Sequence, residues 1–503
     1  MAVPSKNVRE RLKSLERHIL TENPLLVEAV GGFRRLSSIG YATGLLGPDE
    51  SYATQVPWWP LISVLGTFSA GKSTFINHYL GMPLQDTGNQ AVDDKFTVIC
   101  YSGERIPEAR VLPGLALDSD PRFPFYQTSE ELERVAPGEG RRIDAYLQLK
   151  TCHSERMKGK ILIDSPGFDA DAQRTAILRL TNHVIDLSDL VLVFFDARHP
   201  EPGAMSDTLA HLVRNTVDHS DSSKFLYILN QIDTTAREDN PEEVVGAWQR
   251  ALAREGLTAG RFYCIYSPDV ALPIKNEAVR RRFEWKRDQD LSDITERIEH
   301  VSVERAYRIL GTLQKRAQEI SEQHIPAIRE LIRRWRSAVL RTEGIALVML
   351  LAAVAGAGLW RPDVRAMVVA EFQTLTETNQ GIALVAGITA AVLLLLHFTI
   401  RRWAAKRLAR QLAQELPQAQ ASRMQRALRK NTRFWRSIFE VDPVGWSGRG
   451  KRRLKRIIKD ADLHVQALND RFTDPSGNRH TPVLHAVEAE PEPVSGEVLS
   501  RAR

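Results

Sequence analysis

The segment Gly66-Thr67-Phe68-Ser69-Ala70-Gly71-Lys72-Ser73 has the spacing G-x4-G-K-S and runs into a helix-like stretch from Thr74 to Leu80. Glycines let such a loop curl until its N–H groups converge on a phosphate. Lys72 would then neutralise the β and γ charges, and the Ser73 hydroxyl would bind Mg²⁺. Asp164-Ser165-Pro166-Gly167 follows KILI and has the form D-x-x-G. There Asp164 would hold the magnesium through water and the Gly167 amide would sense the γ-phosphate, which makes residues 167–175 a natural switch. Asn230-Gln231-Ile232-Asp233 closes the run FLYIL and is close to N-K-x-D. A carboxylate at Asp233 can accept two hydrogen bonds from guanine N1 and N2, a pair that adenine does not offer, so GTP is the expected substrate. Gln231 stands where a lysine usually packs along the base, which leaves ATP open. Ser267, after FYCIY, is a candidate for the last base-contacting loop, and a plain strand-end serine is the competing reading.

These motifs need a frame that brings them to one edge. Short apolar runs at 61–65, 161–163, 191–195, 225–229 and 262–266, separated by amphipathic stretches, read as buried parallel strands. The expected frame is a doubly wound, mainly parallel α/β sheet with its ligand at the strand ends. The 503 residues are more than this frame requires, and 43% apolar with 26% charged residues is a globular balance. The three cysteines Cys100, Cys152 and Cys264 have no C-x-x-C spacing, which disfavours a disulfide scaffold or a cysteine-built metal site. The opening MAVPSKNVRERLKSLERHIL lacks an apolar stretch, so the bulk of the chain is expected in the cytosol.

The net charge of +6 hides an asymmetry. Residues 401–460 carry eighteen Lys or Arg against Glu415, Glu440, Asp442 and Asp460. A block of this kind suits nucleic acid or an anionic membrane face. Two uncharged apolar runs just upstream, 344–360 and 381–400, favour the membrane and set nucleic acid aside. As helices they would span roughly 26 and 30 Å against about 30 Å of hydrocarbon. Arginines crowd the outer flanks (Arg333, Arg334, Arg336, Arg341; Arg401, Arg402, Arg407, Arg410), whereas the linker has two against three acids. The positive-inside rule then predicts a two-pass hairpin with both termini cytoplasmic.

Taken together, GTFSAGKSTFIN (66–77), ILIDSPGF (161–168), LVLVFFDARHPEPG (190–203) and LYILNQID (226–233) resemble the dynamin superfamily, nearest to EH-domain-containing ATPases and bacterial dynamin-like proteins. The order of G domain, helices, membrane hairpin and helices is similar to mitofusins and atlastins. The resemblance implies hydrolysis of GTP with Mg²⁺, nucleotide-dependent homodimers or homo-oligomers, and coupling to membrane remodelling, tethering or fusion. It also implies that Ser69 helps neutralise charge between the β and γ phosphates, beside Lys72 and Gly167 in catalysis. Two departures stand out. Phe68 occupies the position of the glutamine that orients water in dynamins proper, and the threonine pair of the first switch falls on Val92 and Asp93. Thr87 and Thr97 are possible substitutes.

The expected layout is N-terminal helices over 1–50, a G domain over 51–275, a helical stalk over 276–343, the hairpin over 344–400, basic helices over 401–473 and a disordered tail over 474–503. Seams at Val8, Leu12, Leu15, Ile19 and at Leu310, Leu313, Ala317, Ile320 predict a shared bundle, with Gly311 and Pro326 as hinge or kink positions. RGKRRLKRIIK (449–459) has two main readings, a helix lying on anionic phospholipid or a solvated bundle face, with nucleic acid a less favoured third. Ala and Arg richness hints at a bacterial source, for which the inner membrane would be the location. The reading that follows is a membrane-anchored dynamin-like GTPase. A nucleotide-controlled tether with little hydrolysis is the alternative.

Overall fold

A computed structural model describes residues 4–67, 69–87, 95–104, 110–118, 120–123, 125, 143–167, 174–199, 222–237, 241–254, 260–360, 366–367, 369–370, 372–373 and 378–473. The five apolar runs become strands, and three further strands join them. In chain order these are β1 (Leu61–Gly66), β2 (Phe96–Tyr101), β3 (Arg110–Pro113), β4 (Leu147–Cys152), β5 (Ile161–Asp164), β6 (Leu190–Asp196), β7 (Phe225–Asn230) and β8 (Arg261–Cys264). They form one sheet in the order β3-β4-β2-β5-β1-β6-β7-β8. All residues of β1, β2, β5, β6 and β7 are buried, so helices or loops cover both faces, as parallel strands require. Pairings are parallel except β2 with β5 and β3 with β4. The sheet is therefore mixed on the β2 side, an extension the apolar runs did not disclose, because Gln148 and Lys150 interrupt β4 and β3 is largely exposed.

The helices are α1 (Lys6–Glu22), α2 (Val27–Thr43), α3 (Lys72–Leu80), α4 (Arg174–Leu187), α5 (Pro241–Arg254), α6 (Glu277–Glu319), α7 (Ile325–Trp360), α8 (Asn379–Glu415), α9 (Gln418–Asn431) and α10 (Gly448–Thr473), besides single turns. The predicted seams hold: Val8, Leu12, Leu15 and Ile19 on α1 are buried in one core with Leu310, Leu313, Ala317 and Ile320. That core also takes in Leu61, Phe96 and Ile161, so the bundle and one face of the sheet share their apolar interior.

The long α6 joins the two parts. Its Asn276 cap accepts the amide of Ala278 at 3.0 Å, and Asp290 accepts the amide of Cys264 in β8 at 2.7 Å. Further along, Glu299 pairs with the buried Lys160 at 2.7 Å, and Arg305 and Arg308 both reach Asp189 at the start of β6. The helix passes through Gly311 without a break. The change of geometry comes instead as a π-turn at Ile320–His324, directly before Pro326. A proline ring collides with the carbonyl four residues back, and a wider turn relieves that collision.

In α10 the apolar residues Leu454 and Ile457 are buried and Ile458 packs against the same core, against α2 and α6. The apolar side of RGKRRLKRIIK thus belongs to the bundle, while Lys451, Arg452, Arg453, Lys455 and Arg456 face outward. Among the described residues one helix, α8, is long and apolar enough to cross a membrane, with a mean hydropathy of 2.3 over its best window and none of that window buried. The run 344–360 is the outer part of α7, with Ile345 and Leu347 to Leu351 exposed. Residues 474–503, expected to be a tail, lie outside the described residues.

Leu313 is 2% exposed, and its Cδ2 sits 2.7 Å from where a Cβ on Gly32 of α2 would stand. Leu313→Ala should therefore destabilise the bundle by about 2–5 kcal/mol. A lowered midpoint of helical circular dichroism on heating checks this. An unchanged midpoint would mean that the seam is not core.

Candidate functional site

Strands β1, β5 and β7 run in one direction and end at one edge of the sheet, which brings the three motifs together. The loop between β1 and α3 turns back on itself through two left-handed residues, Ser69 (φ 58°) and Gly71 (φ 82°). Gly71 is required twice over, by that φ and because a Cβ there would lie 2.2 Å from Asn230 Nδ2. Lys72 is buried, and its ammonium donates to the carbonyls of Gly66 and Thr67, each at 3.0 Å. Burial holds the Lys72 amine below its ordinary pKa, while the Asp164 carboxylate draws it back up. Ser73 and Thr74 follow on the first turn of α3, both half-buried.

Asp164, the last residue of β5, is 6% exposed and accepts a hydrogen bond from Gln85 Nε2 at 2.6 Å. Gln85 Oε1 in turn accepts one from the buried Lys150 of β4 at 2.7 Å. Gln85 and Lys150 were missed in the sequence. A lysine between Leu149 and Thr151, in a stretch that also holds Leu147 and Cys152, was the available signal. Gly167 lies just beyond, half-buried, and the residues that follow it to 173 are outside the described residues. Phe68, Val92 and Asp93 are outside them too. Of the two threonines weighed as substitutes, Thr97 is fully buried in β2, accepting from Gln148 at 2.8 Å, and so is part of the sheet; Thr87 is exposed.

The base-reading motif also has work to do behind the phosphate loop. Asn230 Nδ2 donates to the Ala70 carbonyl at 2.9 Å, and Gln231 Nε2 donates to the Ser69 carbonyl at 2.6 Å, Gln231 itself being left-handed at φ 64°. Asp233 is buried and accepts the amide of Leu272 at 2.8 Å. Burial pushes its carboxyl above the usual range, against the pull of that amide and of Arg198. Arg198 itself is clamped on Asp196 at the end of β6, with Nε and Nη2 both in contact. Ser267 follows β8, half-buried, with its hydroxyl lacking a hydrogen-bond partner among the described residues.

A glycine-hinged loop between a buried strand and a helix, with a lysine at its end and a carboxylate from the next strand beside it, defines a P-loop nucleotide-binding domain. Residues 62–232 match the profile of the Dynamin family. Human EH domain-containing protein 1 is 26% identical over 184 residues, 35% of this chain and 31% of that protein. The protein of the same name from Arabidopsis thaliana is 26% identical over 252 residues, 47% of this chain and 42% of its own length. The match thus spans less than half of these relatives. Among solved structures, an oligomerised bacterial dynamin pair described as sensing and tethering membranes aligns at 16% identity and a TM-score of 0.30, over 81% of this chain and 60% of that one. LeoA, a bacterial dynamin GTPase from ETEC, aligns at 14% and 0.27, over 92% and 87%. Over residues 62–232 the chain is therefore similar to the dynamin superfamily.

Asn230→Ala removes the bond that braces the phosphate loop and leaves the Ala70 carbonyl unpaired, a loss of about 1–3 kcal/mol. Affinity for a fluorescent guanine nucleotide should fall about tenfold or more. Affinity equal to the parent's would show that the loop keeps its shape without this brace.

Proposed function

We propose that the protein is a membrane-anchored, dynamin-like GTPase that couples GTP binding and hydrolysis to remodelling or tethering of the bilayer. The observation that carries this reading is the continuity of α7 and α8, which leave the bundle core and continue as runs of exposed apolar side chains. About 25 cal/mol is lost for each Å² of such surface left in water, so runs of this length call for lipid. The pair His397–Glu343, at 2.5 Å, ties the two helices at the base of these runs, which supports two crossings by one hairpin. Charge at the flanks supports cytoplasmic termini.

Residues 51–275 serve as the nucleotide unit. Lys72 would turn from the Gly66 and Thr67 carbonyls to the β and γ phosphates, whose negative charge favours its ammonium form. Amides of Gly66, Thr67 and Ser69 to Thr74 would face the phosphates, and Ser69, whose backbone is left-handed, would help neutralise charge between the β and γ groups. Gly167 meets the γ-phosphate. The donors near Lys72 suit Mg²⁺, since a hydroxyl (Ser73) and a carboxylate (Asp164) are hard oxygen ligands and this ion keeps waters and phosphates for the rest. It would supply charge neutralisation between the β and γ groups. Gln85 and Lys150 hold the Asp164 carboxylate in place. Asp233 reads guanine, with lone pairs to spare beside the Leu272 amide, and Ser267 closes the base loop.

A second reading, ATP as substrate, is favoured by one observation. Gln231 is committed to the Ser69 carbonyl and does not supply the lysine stem that would lie along guanine.

Purified protein in liposomes should turn over GTP faster than ATP, and Lys72→Ala should bind neither. Faster turnover of ATP replaces the guanine reading, and undiminished binding by Lys72→Ala removes the site assignment. Binding without turnover in the presence of lipid would make the chain a nucleotide-controlled tether.

Topology gives a separate expectation. In intact cells an impermeant thiol reagent should reach a cysteine near residue 370 but not one near 20 or 460. The native Cys100 and Cys264 thiols, both pushed up to about 12 by burial, compete poorly. Labelling at 20 and 460 with protection at 370 would reverse the orientation.

A further inference from the structure

The segment 432–447, between α9 and α10, is folded back onto the base of α8 and held there from several directions. Arg401, buried one residue past the apolar run, donates to three of its carbonyls: Arg433 at 3.1 Å, Phe434 at 3.4 Å and Arg436 at 2.7 Å. Arg436 is itself buried and bonds Asn431 and the Asp442 carbonyl, while Asn431 accepts the Val444 amide at 2.8 Å. Gly445, left-handed at φ 82°, packs so closely on α2 that a Cβ would meet Ala42 at 2.6 Å. The loop is therefore rigid at its base.

Its tip contrasts with its base. Phe434, Trp435 and Phe439 are 68%, 65% and 69% exposed. Phe434 touches Phe398, in the last turn of the apolar run, with ring centroids 6.4 Å apart, and Trp435 stacks edge-on to Phe434 at 4.8 Å. Trp403, on the next turn of α8, is exposed as well. Exposed cations surround these rings: Arg402, Lys406, Arg407 and Arg433, of which Arg407 lies over Trp403 and Arg433 over Trp435. A rigid loop that holds aromatics out in water is disfavoured unless something apolar receives them. Aromatic rings with a ring of Lys and Arg, at the level where a helix would leave hydrocarbon, match the headgroup layer of a bilayer.

We propose that residues 433–439 form an interfacial anchor, with Phe434, Trp435 and Phe439 entering the boundary of headgroups and acyl chains and the neighbouring cations meeting anionic phospholipid. The proposal rests on α8 crossing the bilayer, because that sets the depth of Phe398. The anchor gives the bundle a third fixed point on the membrane beside the two helices, and so fixes its tilt.

The test uses the full chain in vesicles of phosphatidylcholine and phosphatidylglycerol, with an environment-sensitive fluorophore on Ser437→Cys or, separately, on Ala390→Cys. Both sites are exposed, and the first leaves all three rings in place. Lipids brominated near the carbonyl should quench the label at 437 more than lipids brominated deep in the chain, and the label at 390 should show the reverse. Replacing Phe434, Trp435 and Phe439 together by Ser should abolish most quenching at 437 and leave 390 unchanged. Quenching at 437 should be weaker in pure phosphatidylcholine; equal quenching overturns the role of the cations. A label at 390 quenched from the deep position with 437 unquenched overturns the anchor while the membrane span stands. A label at 390 that stays unquenched removes the span, and 437 then decides the anchor on its own. Emission at 437 that changes with protein concentration in detergent would mean that a second copy covers these rings, which also overturns the anchor.

Discussion

The carboxylate of Asp189 is the point on which the two halves of the molecule are fixed together. It is 2% exposed, accepts the amide of Leu61 at 3.0 Å and receives both Arg305 and Arg308 from α6. Leu61 is the first residue of the strand that feeds the phosphate loop, so the long helix is registered against the start of that strand. Burying a carboxylate without partners costs several kcal/mol, and removing one side of a buried pair costs about 3–5 kcal/mol. Movement of α6 against the sheet at this level would have to break such a pair. The part of the chain free to change angle is further along, at the π-turn Ile320–His324, where the helical ladder is already widened ahead of Pro326.

A similar economy holds at the nucleotide edge. Read along the chain, the phosphate loop and the Asn230–Asp233 motif are separate devices, one for phosphates and one for a base. In space the second braces the first, through the amides of Asn230 and Gln231 on the carbonyls of Ala70 and Ser69. Gly71 leaves the room that Asn230 occupies. A change in the base loop is thereby felt by the phosphate loop over a single hydrogen bond, and the left-handed backbone at Ser69 and Gln231 is retained because each side holds the other.

The sequence disclosed the part of the fold that depends on local pattern. Unbroken apolar runs located β1, β5, β6, β7 and β8, and three-four spacing located the seams of α1 and α6, since full burial on both faces or on one stripe leaves that signature. It did not disclose β2 to β4. Phe96 to Tyr101 is just as buried, but it follows a polar segment, and Gln148 and Lys150 make β4 read as a loop. Lys150 donates to Gln85, which in turn donates to Asp164, and that pairing across 65 positions has no local trace. The kink was expected at Gly311 or Pro326; the wide turn just before Pro326 is a property of backbone geometry that composition hides. The loop with Phe434 and Trp435 escaped for a similar reason. Its aromatics are unremarkable in sequence and gain meaning from Arg401, which brings them to the foot of α8.

The same helices serve the bundle and, on the proposed reading, the bilayer. Trp335 of α7, 1% exposed, donates to the Arg401 carbonyl of α8 at 3.2 Å, and the Arg401 guanidinium lies over its ring. This contact links the two helices on the bundle side of the His397–Glu343 pair. It fixes the separation of α7 and α8 at the membrane surface, and the same arginine fixes the loop that follows α9. A nucleotide can do work on lipid only if its states favour different arrangements of packed elements. Since α6 is pinned to the sheet at Asp189 and α7 is pinned to α8 at Trp335, the segment between them, with the π-turn at its centre, is the stretch over which two such arrangements can differ without breaking either buried contact.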